Sequence, residues 1–561
     1  MRSRAMTILL CAAVLSIPAC TTADEPQPGT VRPGDRFAAV QAAAIENDKA
    51  PVGYWGTDVE KYTGWKTHSN RLIPVYTFGT RGAGTGIDLA SYTGANSVYR
   101  SAEALERIYG FLPEQTVNPE ADWLDQTNLA DIQRAAANAG KKHIFLVIFD
   151  GMDWPSTQLA SISRLGRVAY TEGRGTGLHI QDYDAAGTSQ FSFMVTSPHN
   201  EGTEVNVDQQ SVTNPGGTLR GGYNAALGGA TPWAIPTDSG YLIAKPPDGH
   251  IRHAYTDSSS SASSMTAGLK TFNGAINVGP SGELVSTLAH ELQEEGWRVG
   301  AVSSVPVSHA TPAAAYAHNV SRDDYQDLTR DMIGLPSIAH PSTPLPGLDV
   351  LIGGGYGVEK KEGEAQGSNF VPGNVYLTDT DLQAIHVSQG GRYVTAVRTP
   401  ETNGSELLKR ATRQAIEGNH RLFGFFGLGS YNGHLPFATA DGQYDPVPGI
   451  GKKAEKYSEA DLNENPTLAD MTASAIQVLS HQQDRFWLMV EPGDVDWANH
   501  DDNIDNSAGA VHSGDAAVRV ITDWVDQHSN WQESLLIVTA DHGHYFQLIH
   551  SEELTGVQPA R

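Results

Sequence analysis

Residues 143–151 read HIFLVIFDG, an apolar run that ends in an acidic residue and a glycine. No charged residue interrupts the run between Ile144 and Phe149. A short, continuous apolar run is typical of a strand that is buried on both faces, as in a parallel sheet covered by helices. This stretch therefore predicts a central strand followed at once by Asp150.

Similar runs follow along the chain, at residues 299–304, 348–352, 422–427, 486–490 and 535–539. Amphipathic helical patterns lie between them, for example at 284–295 and 468–480. This alternation predicts an α/β fold, a three-layer sandwich with a central, largely parallel sheet and helices on both faces.

The predicted catalytic domain covers residues 143–561 and carries an insertion at about 153–250, which is rich in Gly, Thr, Asn and Gln. Residues 20–142 form an N-terminal tether and extension whose role the sequence does not indicate, closing with a predicted helix at 129–139. We expect the insertion to decorate one rim of the sheet.

Residues 1–19 have the layout of an export signal, with Arg2 and Arg4 before an apolar run that is too short to span a bilayer. Two alternatives stay open for the mature form: lipidation at Cys20, or cleavage near Ala23 and release of a soluble protein. Both predict the bacterial periplasm or cell envelope. Because Cys11 lies inside the signal, the mature chain has no internal disulfide.

The formal net charge of −26 argues against nucleic acid as a specific partner. An acidic surface would also repel anionic ligands at long range, so a site for an anion would have to reverse the local charge. Bound metal cations would do so.

Acidic residues lie at the ends of three of the predicted strands. Ligands in an open α/β sheet bind beyond the carboxyl ends of the strands, where Asp150, Glu491 and the pair Asp541-His542 stand. A single acidic residue at a strand end is most often a turn or cap residue. Three together indicate a site.

Asp496 and His500 are four residues apart, which places both side chains on one face of a helix. Carboxylate oxygen and imidazole nitrogen are ordinary zinc ligands, so with Asp541-His542 this pair suggests two metal positions. Ser258 precedes a helix-compatible stretch, where it would be either a helix cap or a nucleophile that needs a base or metal.

Taken in order, these segments resemble the signatures of the alkaline phosphatase family. The segments that carry the resemblance are Asp150-Gly151-Met152, Thr256-Asp257-Ser258, residues 268–275, His309-Ala310-Thr311-Pro312-Ala313, Val490-Glu491 with Asp496 and His500, and Ala540-Asp541-His542-Gly543-His544. They span roughly residues 143–544, interrupted by the insertion.

The resemblance implies metal-dependent hydrolysis of phosphate monoesters through a phosphoserine on Ser258, with release of inorganic phosphate. Arg322 matches the arginine that grips the phosphoryl oxygens, a task that suits a planar guanidinium. It further implies an alkaline pH optimum and often a homodimer.

Two Zn²⁺ sites and one Mg²⁺ site are implied in the same way. The matching ligands are Asp150, Asp541 and His542 for the zinc that activates the serine; Asp496 and His500 for the zinc that stabilises the leaving oxygen and then supplies hydroxide; and Asp150, Thr311 and Glu491 for magnesium. His309 and Trp497 match positions that tune the magnesium site and phosphate release, and His544 matches a residue that supports a zinc ligand.

One part of the family pattern has no counterpart in this sequence. The family supplies a further histidine to the leaving-group zinc from a segment well downstream of the Asp-His pair, whereas this sequence ends at Arg561. We therefore expect the C-terminal part of the family fold to be missing. Three explanations stay open: a truncated product, substitution by His550 or another histidine, or a weakly held zinc.

Three competing functions were weighed against this one. Sulfatases of the superfamily need Pro and Arg two and four residues after the nucleophile, where this chain has Ser260 and Ala262. Phosphodiesterases of the superfamily commonly use threonine and lack the pair that Thr311 and Glu491 match. A catalytically impaired phosphate- or metal-binding envelope protein is the non-enzymatic alternative.

Overall fold

The computed structural model describes residues 31–58, 61–62, 67–243 and 253–555. The predicted export signal and Cys20 lie outside the described residues. No helix in the described part of the chain is long and apolar enough to cross a membrane.

One sheet of ten strands dominates the fold. In chain order its strands are β1 Ile73–Phe78, β2 Leu124–Asp125, β3 His143–Phe149, β4 Gln190–Val195, β5 Arg298–Pro306, β6 Val350–Gly354, β7 Tyr393–Val397, β8 Arg421–Phe425, β9 Phe486–Glu491 and β10 Ser534–Ala540. Their order across the sheet is β7-β8-β6-β5-β9-β3-β10-β1-β4-β2.

The first seven strands in that order are parallel to one another, and β1 then pairs antiparallel with both β10 and β4. Strand β3 is buried along its whole length, as its uninterrupted apolar sequence requires. The predicted α/β class and its largely parallel central sheet are confirmed.

Helices of seven or more residues are α1 Arg36–Asn47, α2 Ala102–Tyr109, α3 Thr127–Asn138, α4 Trp154–Leu165, α5 Ser258–Ala267, α6 Leu288–Glu294, α7 Tyr325–Ile333, α8 Asp379–Ile385, α9 Gly404–Gly418, α10 Leu468–Leu479, α11 Asp494–His500 and α12 Ile504–His528. Shorter helices are His179–Asp182, Ala225–Gly228, Ala310–Ala314 and Glu459–Asn463.

Two groups of helices pack against the sheet. In one group α9 contacts α10 and α10 contacts α12, and in the other α3 contacts α5 and α6. The result is a three-layer sandwich whose core is the apolar surface between sheet and helices.

Strands from both segments outside the predicted core join this sheet. Strands β1 and β2 come from residues 20–142, and β4 comes from the predicted insertion. Small antiparallel pairs, such as Gly53–Trp55 with Phe546–Leu548, lie outside the central sheet. The domain boundaries stay a prediction.

Candidate active site

The carboxyl ends of β9, β3 and β10, three adjacent strands, bring three acidic residues together. In the register of the sheet Ala540 lies beside Phe149, so the next residues, Asp541 and Asp150, are neighbours. Glu491 ends β9 on the other side of β3. All three side chains are buried. The grouping that the strand-end positions predicted is therefore present.

Ser258 is the first residue of α5, but it does not cap that helix. The cap is Asp257, whose Oδ1 accepts a hydrogen bond from the backbone N–H of Ser260 at 2.9 Å. The Ser258 hydroxyl oxygen instead lies 3.3 Å from Asp150 Oδ1 and 3.2 Å from His542 Nε2. Its hydroxyl is thus turned toward the carboxylate cluster at a helix N-terminus, where the backbone favours anions.

Arg322 reaches the same place from the loop before α7. Its Nη1 donates to Asp257 Oδ2 at 3.1 Å, and its backbone N–H donates to the Gly274 carbonyl at 2.7 Å. Burial opposes the positive charge, yet the carboxylate of Asp257 keeps the pKa of Arg322 above its ordinary value. A charged guanidinium is therefore fixed beside Ser258.

One group of possible metal ligands surrounds the serine. Ligand atoms of Asp150, Asp496 and His542 lie within 4.8 Å of one another. His542 Nε2 is 3.2 Å from Asp150 Oδ1 and 3.5 Å from Asp541 Oδ2. Four of the predicted zinc ligands therefore meet in one buried cluster.

A second group lies next to it, built on the single turn between Asp496 and His500 in α11. His500 Nε2 is 3.4 Å from Asp496 Oδ1, and His544 Nε2 is 2.7 Å from the same oxygen. Burial alone would raise the pKa of Asp496, but His500 and His544 hold it well below its usual value. The short contact of His544 with a ligand oxygen fits the predicted supporting role, which stays a prediction.

His68 is a member of this second group that the sequence analysis missed. Its Nε2 lies 3.3 Å from His500 Nε2, and its ring stacks on that of His542 at a centroid distance of 3.7 Å. Burial and the nearby His542 lower the pKa of His68 well below its usual value, which favours the neutral imidazole. No motif or periodicity surrounds His68 in the sequence, so no local signal could have identified it.

His550 is not part of either group. Its imidazole is 65% exposed and lies 3.7 Å from Glu552. The alternative in which His550 substitutes for a missing zinc ligand is therefore not supported by its position.

The predicted magnesium ligands meet at the end of β9. Glu491 accepts a short hydrogen bond from Ser303, and Thr311 lies near this carboxylate in the helix Ala310–Ala314. Thr311 Oγ1 and Glu491 Oε1 are buried without a hydrogen-bond partner among the described residues. Asp150 and Glu491 form a further group of ligand atoms with His309. Oxygen donors of this kind suit a hard cation.

The buried carboxylates of the site repel one another, which favours the binding of cations. Burial, followed by repulsion from Asp496 and Glu491, raises the pKa of Asp150 well above its ordinary value. Burial raises the pKa of Glu491 to about 8, with repulsion from Asp541 adding to it. Asp150 Oδ2 and Asp541 Oδ2 are buried without a hydrogen-bond donor among the described residues. Divalent cations would offset this charge, so the residues present fit the implied metals.

A family model described as alkaline phosphatase matches residues 242–556. The chain belongs to the alkaline phosphatase family.

Curated alkaline phosphatases of several bacteria are similar to this chain. Alkaline phosphatase 4 of Bacillus subtilis is 28% identical over 294 residues, which cover 51% of this chain and 49% of that protein. Alkaline phosphatase H of Pseudomonas aeruginosa is 28% identical over 360 residues, 62% of this chain and 68% of that protein. The alkaline phosphatase of Escherichia coli is 29% identical over 312 residues, which cover 52% of this chain and 59% of that protein. The chain spans about half the length of the first of these relatives.

Among solved structures, the alkaline phosphatase of Thermus thermophilus is similar at a TM-score of 0.41 and 20% identity, covering 72% of this chain and 60% of that one. A second is the alkaline phosphatase of the Antarctic bacterium TAB5, at a TM-score of 0.39 and 18% identity. The similarity covers 72% of this chain and 79% of that one.

The alkaline phosphatase match begins after two residues of the site. Asp150 and His68 both precede residue 242. The cluster therefore combines the matched region with side chains from the segments before it.

A cavity of about 560 Å³ adjoins the second group of ligands. His309, Tyr325, Trp497, His500 and Lys453 are among the residues that line it. The rings of His309 and Trp497 meet edge to face, with centroids 5.9 Å apart. Both predicted tuning residues therefore lie at the mouth of the site, although their roles stay predictions.

Proposed function

We propose that this protein is a metal-dependent alkaline phosphatase that hydrolyses phosphate monoesters through a phosphoserine at Ser258. The observation that carries the proposal is the position of the Ser258 hydroxyl, 3.3 Å from Asp150 Oδ1 and 3.2 Å from His542 Nε2, beside a fixed arginine. A protein that only binds metal needs neither the serine nor Arg322.

The chain's residues would hold three ions. Asp150, Asp541 and His542 would hold one zinc, Asp496 and His500 contribute to a second, and Asp150, Thr311 and Glu491 would hold magnesium. When bound, these cations supply Lewis-acid chemistry that favours the ionised serine and stabilises negative charge on the leaving and phosphoryl oxygens.

The protein groups do the positioning. Ser258 Oγ attacks phosphorus in line, the alcohol leaves, and water then hydrolyses the phosphoserine to release phosphate. Arg322 donates two hydrogen bonds to the phosphoryl oxygens, and Asp257 fixes the direction of its guanidinium. The N-terminus of α5 adds partial positive charge at the same point.

The residues around Asp150 favour phosphate monoesters over the competing substrates, phosphodiesters and sulfate esters. Buried Thr311 and Glu491 next to Asp150 favour monoesters, because a third cation can compensate the charge of a dianionic phosphoryl group. Export to the cell envelope and a homodimer stay predictions from the sequence, as do the two alternatives for the mature form, a lipid anchor at Cys20 or release as a soluble protein.

Hydrolysis of p-nitrophenyl phosphate by the purified chain with zinc and magnesium tests the proposal. Activity should disappear with a chelator and in Ser258→Ala. Bis(p-nitrophenyl) phosphate and p-nitrophenyl sulfate should be much poorer substrates. Higher rates on either of these would replace the monoesterase proposal by a diesterase or sulfatase.

The covalent intermediate is tested separately. Incubation with labelled inorganic phosphate at acidic pH and rapid denaturation should leave label on the peptide that contains Ser258. The neighbouring variant Ser259→Ala is the matched control and should retain the label. Phosphate binding without turnover or label in the metal-loaded protein would support the non-enzymatic alternative.

A further inference from the structure

The residues just before β1 run along the active site. The backbone N–H of Ser69 donates to the Gly543 carbonyl at 2.7 Å, between the two histidines that follow β10. Asn70 Nδ2 donates to the Ala254 carbonyl at 2.7 Å, and Asn70 Oδ1 accepts from the Thr256 N–H at 3.1 Å. The segment thus joins the residues after β10 to the loop that leads to Ser258.

Within this segment, a backbone hydrogen bond fixes which nitrogen of His68 carries the proton. Nδ1 lies 3.1 Å from the Thr256 carbonyl oxygen, which can only accept, so Nδ1–H donates. In the neutral ring Nε2 then has a free lone pair. Such a hydrogen bond from the other ring nitrogen is the usual way in which a metal-binding imidazole is oriented.

That lone pair is directed at the ligands of the second group. His68 Nε2 is 3.3 Å from His500 Nε2 and 3.8 Å from Asp496 Oδ1. Two ligand atoms on one tetrahedral zinc, each about 2.0–2.1 Å from the ion, lie about 3.3 Å apart. The separation between the two imidazole nitrogens therefore matches a shared ion.

His544 is less suited to this position, although it belongs to the same group. Its Nε2 is 2.7 Å from Asp496 Oδ1, the distance of a hydrogen bond in which the imidazole donates to the carboxylate. A nitrogen that donates has no lone pair for a metal. His68 is thus the imidazole of the group, besides His500, that can act as a ligand through Nε2.

We infer that His68 is a third protein ligand, with Asp496 and His500, of the cation at the leaving-group position. The segment 67–72 is then a part of the catalytic centre rather than an appendage. The inference rests on the proposed function for the identity of that cation. His68 would then be the other histidine that the sequence analysis left open as a substitute for the family's downstream ligand.

Zinc binding by the full-length protein tests this inference. Zinc content after dialysis and zinc affinity by competition with a chromophoric chelator are measured for wild type, His68→Ala, Asp496→Ala and the exposed control His550→Ala. We expect His68→Ala to bind one zinc at least ten-fold more weakly than wild type, with His550→Ala unchanged. Added imidazole should restore much of the lost affinity in His68→Ala by occupying the vacated space.

The two proposals fail in different ways. Wild-type zinc affinity in His68→Ala, with affinity lost in Asp496→Ala, would overturn the role of His68 and leave the proposed function intact. Wild-type affinity in both variants would remove the second metal position and the proposed function with it.

A measurement on the unsubstituted protein avoids any effect of the variants on folding. Zinc should protect His68 from modification by diethyl pyrocarbonate at least ten-fold, read by mass spectrometry, whereas His550 should react equally with and without zinc. Equal reaction of His68 in both states would overturn the inference.

Discussion

Arg322 Nη1 donates to Asp257 Oδ2 at 3.1 Å, and Asp257 is the residue directly before Ser258. One carboxylate thus caps the helix that carries the nucleophile and orients the guanidinium that would grip the substrate. The same group couples two catalytic elements that are more than sixty residues apart in the chain.

Asp257→Asn should weaken phosphate binding. The amide oxygen can still accept from Ser260 and cap α5, but the charged partner of Arg322 is lost. We expect inhibition by inorganic phosphate to weaken about 3- to 10-fold, the size of one ordinary hydrogen bond. Steady-state inhibition measures it, with the unfolding midpoint as a check on the cap. An unchanged inhibition constant would show that Asp257 does not orient Arg322.

Gly151→Ala should disrupt the second ligand group. Gly151 has φ +72°, and a Cβ there would lie 2.7 Å from His544 Nε2 and 2.8 Å from the Asp496 Cα. We expect at least a ten-fold loss of zinc affinity, comparable to loss of a supporting group. Gly140→Ala is the matched control, since Gly140 also has positive φ, +91°, but no atom within 4 Å of its Cβ position. Equal zinc affinity in the two variants would contradict the steric explanation.

Lys270→Met should destabilise the fold strongly. Lys270 Nζ and Asp125 Oδ2 form a fully buried ion pair at 2.9 Å, and Nζ also donates to the Ser197 carbonyl. Removing the cation leaves a buried carboxylate, which costs about 3–5 kcal/mol. Lys409→Met removes the cation of a solvent-exposed pair and should destabilise the fold far less. Urea unfolding compares the two, and similar losses would argue against burial as the cause.

Asp505→Asn should alter the pH dependence of stability. Burial raises the pKa of Asp505 to about 7, so the folded protein keeps a proton that the unfolded chain releases near pH 4. The contribution of Asp505 to stability therefore falls as the pH rises from about 4 to about 7 and is not regained above. The asparagine keeps the acceptor for the Ala440 N–H and carries no charge.

The gain in unfolding temperature from Asp505→Asn should therefore be larger at pH 8.5 than at pH 5.5, by about 2 °C or more. Comparing variant with wild type at each pH, in excess zinc, removes the contribution of the metal ligands. Asp379→Asn, at an exposed position, should show no such difference. A gain of equal size at both pH values would contradict the shifted pKa.

Six of the ten strands of the central sheet, β3, β5, β6, β8, β9 and β10, could be predicted because each contains a continuous, largely apolar run. The bounds of β3 agree with the predicted run at residues 143–149. Strand β9 is one residue longer than its predicted run at one end, and β10 is one residue longer at each end. Strand β1 was missed, since Pro74 weakens its strand pattern. It is held by pairing with β10 and β4, which are distant in sequence.

The site, like the sheet, was predictable where its residues depend on local sequence patterns. Asp150, Glu491 and Asp541 follow apolar strands, and parallel pairing alone brings strand ends to one edge of the sheet. Asp496 and His500 share a helix turn, which is a local property. The position of Arg322 relative to Ser258 followed only from the family resemblance, because a loop of this kind has no periodicity to indicate its direction.

The sequence by itself determined the class of the fold, the edge of the sheet at which the ligands gather and the residues that carry the family's chemistry, because these depend on local apolar patterns and short motifs. Only the tertiary structure decided that His68 joins Asp496 and His500. Antiparallel pairing of β1 with β10 carries the segment before β1 back across the strand ends, and such long-range pairing leaves no local trace in the sequence.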